Sequence, residues 1–225
     1  MNRISVLFVV LVVLTLTCLD MHADMYADYD FIFAVVKYSG GGDWYNGLTG
    51  VRNLINLIKK RTDIRIAPSE KIISLLDDDL FLYPFIYING HGNIKLSDEE
   101  VTRLRRYLTS GGFLFCNDDY GLDKALTREM KKVLPDKDFV EVPFSHKIYN
   151  VLYNLPKGMP KVHEHYPGPA KGLGLFYQNR LVVLFAYNAD IGDGWEKPKV
   201  FNDPENIREQ AIRMGINIVY YSLLY

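Results

Sequence analysis

The chain has very little cysteine, with only Cys18 and Cys116 among 225 residues. Two thiols cannot build a disulfide scaffold, so stability must come from a buried core, which a chain of this length can form. An excess of one charge is also missing. There are 26 Lys and Arg against 27 Asp and Glu, a formal net charge of -1, and neither sign forms a long run. That excludes a nucleic-acid binder working by phosphate neutralisation. There is no phosphate loop, no dinucleotide fingerprint, no serine elbow, no internal repeat and no low-complexity tract. Aromatic residues are abundant instead, with 16 Tyr and 12 Phe, a composition that argues against disorder.

A long hydrophobic run occurs only at the start. Arg3 precedes the apolar stretch Ile4 to Leu14, and polar residues follow up to Asp20, His22 and Asp24. This is the layout of a secretory signal peptide, and the run is short for a membrane span. The sequence therefore predicts a signal peptide over 1–23, a linker over 24–29 and a single α/β domain over 30–225. Cleavage is placed after Ala23 or Ala27. The mature chain is expected to be exported to the periplasm without a transmembrane span. Lipidation at Cys18 and an uncleaved signal anchor are the two alternatives. After cleavage Cys116 is the only remaining thiol.

The mature chain alternates strand and helix signals. Asp30 to Tyr38 reads as a first strand, Val51, Leu54, Ile55 and Ile58 recur at helical spacing, and Ile64 to Ile66 suggests a short strand. Lys71 to Leu76 reads as extended or helical. Pro84 to Asn89 is nearly continuous in apolar residues, as expected for a strand buried on both faces of a parallel sheet. Ser97 to Glu100 forms a capping box for a helix that buries Val101, Leu104 and Leu108 and stops at Gly111-Gly112. Phe113 to Cys116 is another apolar strand, and a helix through Leu122, Ala125, Leu126 and Val133 ends at Pro135. Gly172 to Tyr187 predicts an antiparallel hairpin turning at Gln178-Asn179-Arg180. Asp203-Pro204 is expected to cap and start the last helix, whose face is Ile207, Ala211, Met214 and Ile218.

In open α/β sheets, ligands bind at the carboxyl ends of strands. Two such ends carry polar residues here, Asn89-Gly90-His91-Gly92 and Cys116-Asn117-Asp118-Asp119. His91 reads either as a general acid/base or ligand contact, or as a histidine that hydrogen-bonds its turn. Asp118 and Asp119 can hold a hard cation or raise one another's pKa, or they can cap the following helix. Cys116 sits where a nucleophile would, without the small neighbours of an elbow, so it reads as a small buried hydrophobe. His163-Glu164-His165 puts two imidazoles on one face of an extended segment, the only local spacing that suits a divalent metal. A third ligand would come from His91, His146, Asp118 or Asp119. Asp190 to Trp195 lacks the pattern of a calcium loop and reads as a turn.

Trp44 in GGDWYN, PFIYINGHG from Pro84, LRRYLTSGGFLFCNDDYG from Leu104, PKVHEHYPGP from Pro160, DIGDGWE from Asp190 and the closing NDPENIREQAIRMGINIVYYSL together resemble an exported bacterial family. It is known as domain of unknown function 4159, and the resemblance covers about residues 30–225. It implies the class I glutamine amidotransferase-like fold, a flavodoxin-like three-layer sandwich. It also implies an envelope setting, and it carries no catalytic role with it. Glutaminases of that superfamily have a cysteine between glycines and a later His-x-Glu pair, which Cys116 and the end of this chain do not match. Two functions follow as expectations. One is binding of a ligand or envelope partner in a crevice lined by Trp44, Gly90, His91, Asp118, Asp119 and Trp195, with Tyr45 on its rim. The other is a metal-assisted or acid/base hydrolase using His91, Asp118 or Asp119, and the His163/His165 pair.

Overall fold

The computed structural model describes residues 28–225, so the expected signal peptide and most of the linker lie outside the described residues. Seven strands form one sheet: β1 (Ala34–Val36), β2 (Lys71–Ile73), β3 (Phe85–Ile88), β4 (Phe113–Asn117), β5 (Val140–Glu141), β6 (Lys171–Tyr177) and β7 (Arg180–Tyr187). Their order is β2-β1-β3-β4-β7-β6-β5. The strands from β2 to β7 in that order are parallel, while β6 and β5 add on antiparallel. The first five strands thus follow the flavodoxin-like winding, with the order reversing between β1 and β3. Gln178 and Asn179 close the β6–β7 hairpin with φ of 49 and 65, the left-handed pair required by a two-residue turn that matches strand twist.

Helices cover both faces. The helices are α1 (Leu48–Arg61), α2 (Asp98–Thr109), α3 (Asp123–Val133), the short α4 (Pro198–Phe201) and α5 (Glu205–Leu224). Alternation along each strand sorts side chains into two cores. Phe33, Val35, Phe85, Tyr87, Phe113 and Phe115 point to one face, under Val51, Leu54 and Ile58 of α1 and Ala211, Met214 and Ile218 of α5. Ala34, Val36, Ile86, Ile88, Leu114 and Cys116 point to the other, under Val101 and Leu104 of α2 and Leu126 and Met130 of α3. The result is an α/β three-layer sandwich.

Both halves of the Ser97–Glu100 capping box form, the Glu100 amide donating to Ser97 Oγ at 3.2 Å and the Ser97 amide to Glu100 Oε2 at 2.7 Å. Three expectations shift. The first strand is regular only over Ala34–Val36, and Ile64 to Ile66 contributes a single bridge, Phe31 to Ile66. Pro68 interrupts that side of the ladder because it has no N–H to donate. The last helix begins at Glu205 with Pro204 in the capping position and no side-chain cap, because the Asp203 carboxylate faces His163 instead.

Candidate functional site

The polar ends of β1, β3, β4 and β7 meet at one edge of the sandwich. After β1 the chain turns through Gly42 to Asp43, whose carboxylate takes the backbone N–H of His91 at 2.5 Å and faces its ring Nδ1 at 3.0 Å. Gly90 makes this approach feasible. A Cβ there would lie 2.5 Å from the Tyr38 hydroxyl and 2.9 Å from Asp43 Oδ1, and its φ of +131 suits no other residue. The glycine before His91 thus has a packing reason that the sequence did not reveal. With Asp43 accepting from Nδ1, the imidazole keeps its basic lone pair on Nε2, and the ring is about half exposed, at 48%.

Behind this pair sits Asp119, buried at the end of β4. Its Oδ1 accepts from Asn117 at 2.7 Å, and its Oδ2 accepts from Asn46 at 2.8 Å and Asn89 at 2.9 Å. The same Oδ2 lies 4.0 Å from His91 Nδ1. Burial, and then the charge of Asp190, push Asp119 up to about 7 against the pull of those amide donors. The amides form a belt, in which Asn117 also donates to Asn89 Oδ1 at 2.9 Å and accepts the Gly192 amide at 3.3 Å. That belt ties β3 and β4 to the loop after β7.

A second cluster lies on that loop. His163 Nδ1 is 2.9 Å from Asp190 Oδ2 and 3.2 Å from Asp193 Oδ2, while its Nε2 is 3.1 Å from Asp203 Oδ1. His165 Nε2 is 3.2 Å from the same Asp190 oxygen. The hydrogen bond to Asp190 and the surrounding carboxylates push His163 up to about 9. The two histidines hold Asp190 below its usual range against its burial, and burial beside Asp190 pushes Asp193 up to about 8.

Asp118 and Asp119, adjacent in sequence, part company in space. Asp118 Oδ1 accepts the Leu122 amide at 3.0 Å, which fixes the turn before α3, although Leu122 itself is the capping residue and no side chain caps the helix. Asp118 Oδ2 is buried with no partner. Cys116 is fully buried, and burial pushes its thiol well above the usual range. Trp195, expected to line the binding crevice, does not reach its surface. It is 1% exposed in the core and donates to the Ala211 carbonyl at 2.9 Å. The exposed aromatics on the segments around this site are Tyr45, at 61%, with Trp44 half-buried against it, and Tyr120, at 51%. The Tyr120 backbone bridges to His91, while its ring lies against His165 and Tyr166. His146, offered as a third metal ligand, instead packs against Phe176 and Tyr221 and caps a short turn by accepting the Ile148 amide. Asp43 and Asn46 were not singled out from the sequence at all, and Asn89, Asn117, Asp190, Asp193 and Asp203 were read only as parts of strand ends, a turn or a cap, without a role in the site. Position was the available signal for most of them, since all but Asp203 follow or end a strand whose carboxyl end faces this edge.

Fold and site together define a doubly wound α/β domain with a histidine–carboxylate cluster at its topological switch point. The sequence profile of the family described as Domain of unknown function (DUF4159) matches residues 32–223. The chain belongs to that family. No curated protein matches it. Among the described residues, no helix is long and apolar enough to cross a membrane.

Proposed function

We propose that the crevice at the β1/β3 switch point binds a small polar substrate and hydrolyses it by general base catalysis at His91. The observation that carries this reading is the Asp43–His91 pair, at 3.0 Å, with Asp119 Oδ2 a further 4.0 Å from the same ring nitrogen. Asp43 fixes the tautomer and the ring plane. His91 Nε2 takes a proton from water as the water oxygen attacks the electrophilic centre of the substrate, and the imidazolium passes that proton to the leaving group. Asp43 and Asp119, both on the Nδ1 side, stabilise the imidazolium in between. Cys116 takes no part, because a buried thiol is not a nucleophile. Export to the envelope belongs to the same proposal and rests on the Arg3–Leu14 pattern.

The second reading, a non-catalytic domain that binds a ligand or an envelope partner, is favoured by the exposed Tyr45, two residues after Asp43, and Tyr120, which follows Asp119. Turnover separates the two. With p-nitrophenyl acetate and p-nitrophenyl phosphate as probes, the wild-type chain is expected to hydrolyse one of them. His91→Ala should lower that rate by about 10²–10⁴-fold, the usual worth of a positioned acid/base group. Asp43→Asn should lower it less and shift the pH profile. A wild-type rate no greater than that of His91→Ala on both probes would remove the hydrolase reading in favour of binding.

A further inference from the structure

The geometry points to a binding site for one divalent first-row transition ion, formed by His163 Nδ1, His165 Nε2, Asp190 and Asp193 and oriented by Asp203. His163 Nδ1, Asp190 and Asp193 each offer a ligand atom within 4.8 Å of the others. Two carboxylate oxygens converge on one imidazole nitrogen, at 2.9 and 3.2 Å. An N–H can make only one linear hydrogen bond, so a proton there serves one oxygen and leaves the other poorly paired. A cation serves both. Ligand atoms about 2.1 Å from a shared ion lie roughly 3.0–3.4 Å apart across octahedral or tetrahedral edges. The two His163 contacts and the 3.2 Å His165 contact to Asp190 Oδ2 lie close to that spacing.

A second, independent observation is the Asp190 carboxylate itself. It is 2% exposed, and its Oδ1 is buried with no hydrogen-bond partner. Buried oxygens without partners are rare and costly in folded proteins. A bound ion or a water it carries would satisfy this one. The remaining nitrogen of His163 faces Asp203 Oδ1 at 3.1 Å. A carboxylate that accepts from one ring nitrogen fixes the tautomer and frees the other as a ligand, the usual arrangement around metal-bound histidine.

The loop is also held rigidly. Trp195 is locked in the core, the Asn53 side chain donates to its carbonyl at 2.5 Å, and Thr49 and Arg208 grip Glu196 by side chain and backbone. Asp190 takes a left-handed φ of 49, a conformation that Asp tolerates better than most residues. Mixed imidazole and carboxylate ligands suit a transition ion, whereas Mg²⁺ and Ca²⁺ prefer oxygen alone.

The test is direct binding, separate from turnover at His91. Protein stripped with a chelator and dialysed is titrated with Zn²⁺, Mn²⁺ and Co²⁺ in competition with a chromophoric chelator. Binding of one ion per chain is expected, and Co²⁺ should give an absorption band of ligated metal. His163→Ala and Asp193→Asn should weaken binding by tenfold or more, and Asp203→Asn by about 10–100-fold as an orienting residue. His91→Ala should bind as the wild type does, whatever its effect on hydrolysis. Asp193→Asn keeps the size of its side chain, so it serves if His163→Ala fails to fold, with circular dichroism as the check. The proposal is overturned by no binding above a fully chelated blank, by binding that neither Asp193→Asn nor Asp203→Asn alters, or by uptake of Mg²⁺ or Ca²⁺ alone. In those cases the cluster is an ion-pair network and nothing more.

Discussion

Cys116 shows how a single residue's surroundings decide its chemistry. It lies in β4 one position before the polar strand end, pairs in register with Ile88 and Phe185, and points into the core beneath α2 and α3. A nucleophile would have to ionise, and burial raises its thiol well above the usual range. The neighbouring Asn117 faces the opposite way along the strand and joins the amide belt, so alternation by one residue separates an inert side chain from a site residue. Cys116 in the native protein is therefore expected to resist alkylation by iodoacetamide at pH 8, read by peptide mapping so that Cys18 is counted apart, with its labelling appearing only in denaturant. Rapid stoichiometric labelling of Cys116 in the folded protein would contradict the buried assignment and reopen a thiol mechanism.

Elements are held to one another by polar contacts that no hydrophobic pattern reveals. Glu129 of α3 is 0% exposed. It accepts the Leu96 amide at 3.1 Å, immediately before the capping box of α2, and pairs with Arg128 and Lys132 at 2.7 Å each. These three donors hold its carboxyl below the usual range despite burial. A carboxylate depressed in the folded state contributes stability above its unfolded pKa, and that contribution is lost as pH falls through the folded value. Glu129→Gln should therefore cost about 1.5–3 kcal/mol at pH 7, the worth of charge-assisted hydrogen bonds. In urea titrations the gap to wild type should close below about pH 4. A gap independent of pH would mean that the side chain's shape, not its charge, holds the two helices. Such ties mark where sequence reading succeeded and where it stopped. Helix and strand identities were legible because periodicity records which face is buried, and the Ser97–Glu100 box because its partners are three residues apart. His91, Asp119, His163 and His165 were legible as polar residues next to strand ends or at metal-like spacing. Asp43 and Asp190 were not, because their partners lie 48 residues away at His91 and 27 away at His163. The DIGDGWE segment read as a plain turn because its ligand-like carboxylates answer to histidines on another segment.

At the scale of the whole molecule, a formal net charge of -1 conceals a marked asymmetry. The carboxyl edge of the sheet gathers Asp43, Asp118, Asp119, Asp190 and Asp193, with His91, His163 and His165 among them. Carboxylates assembled in a desolvated place make folding compete with ionisation, so the fold tolerates this edge at a cost that depends on pH. Asp118 reports most of that cost, since it hydrogen-bonds to neither histidine cluster and burial is the largest cause of its shift. Burial, with Asp123 and Asp190 adding to it, pushes its carboxyl up to about 6, against the pull of the Leu122 amide and His165. Below its unfolded value of 3.8 both states are protonated and nothing is lost. As pH rises from there through about 6 the unfolded chain ionises first, the native state binds more protons, and stability falls. Above that window both states are charged and the loss is complete. A shift of this size corresponds to about 3 kcal/mol at 1.36 kcal/mol per pKa unit. Asp118→Asn keeps an oxygen for the Leu122 amide and cannot ionise, so it should escape that loss. Urea unfolding at pH 4, 5, 6 and 7 in a chelating buffer should show the variant gaining on wild type by about that amount across the series. Parallel curves for the two proteins would show that Asp118 is already solvated or paired in the native state, and that the edge carries its charge without penalty.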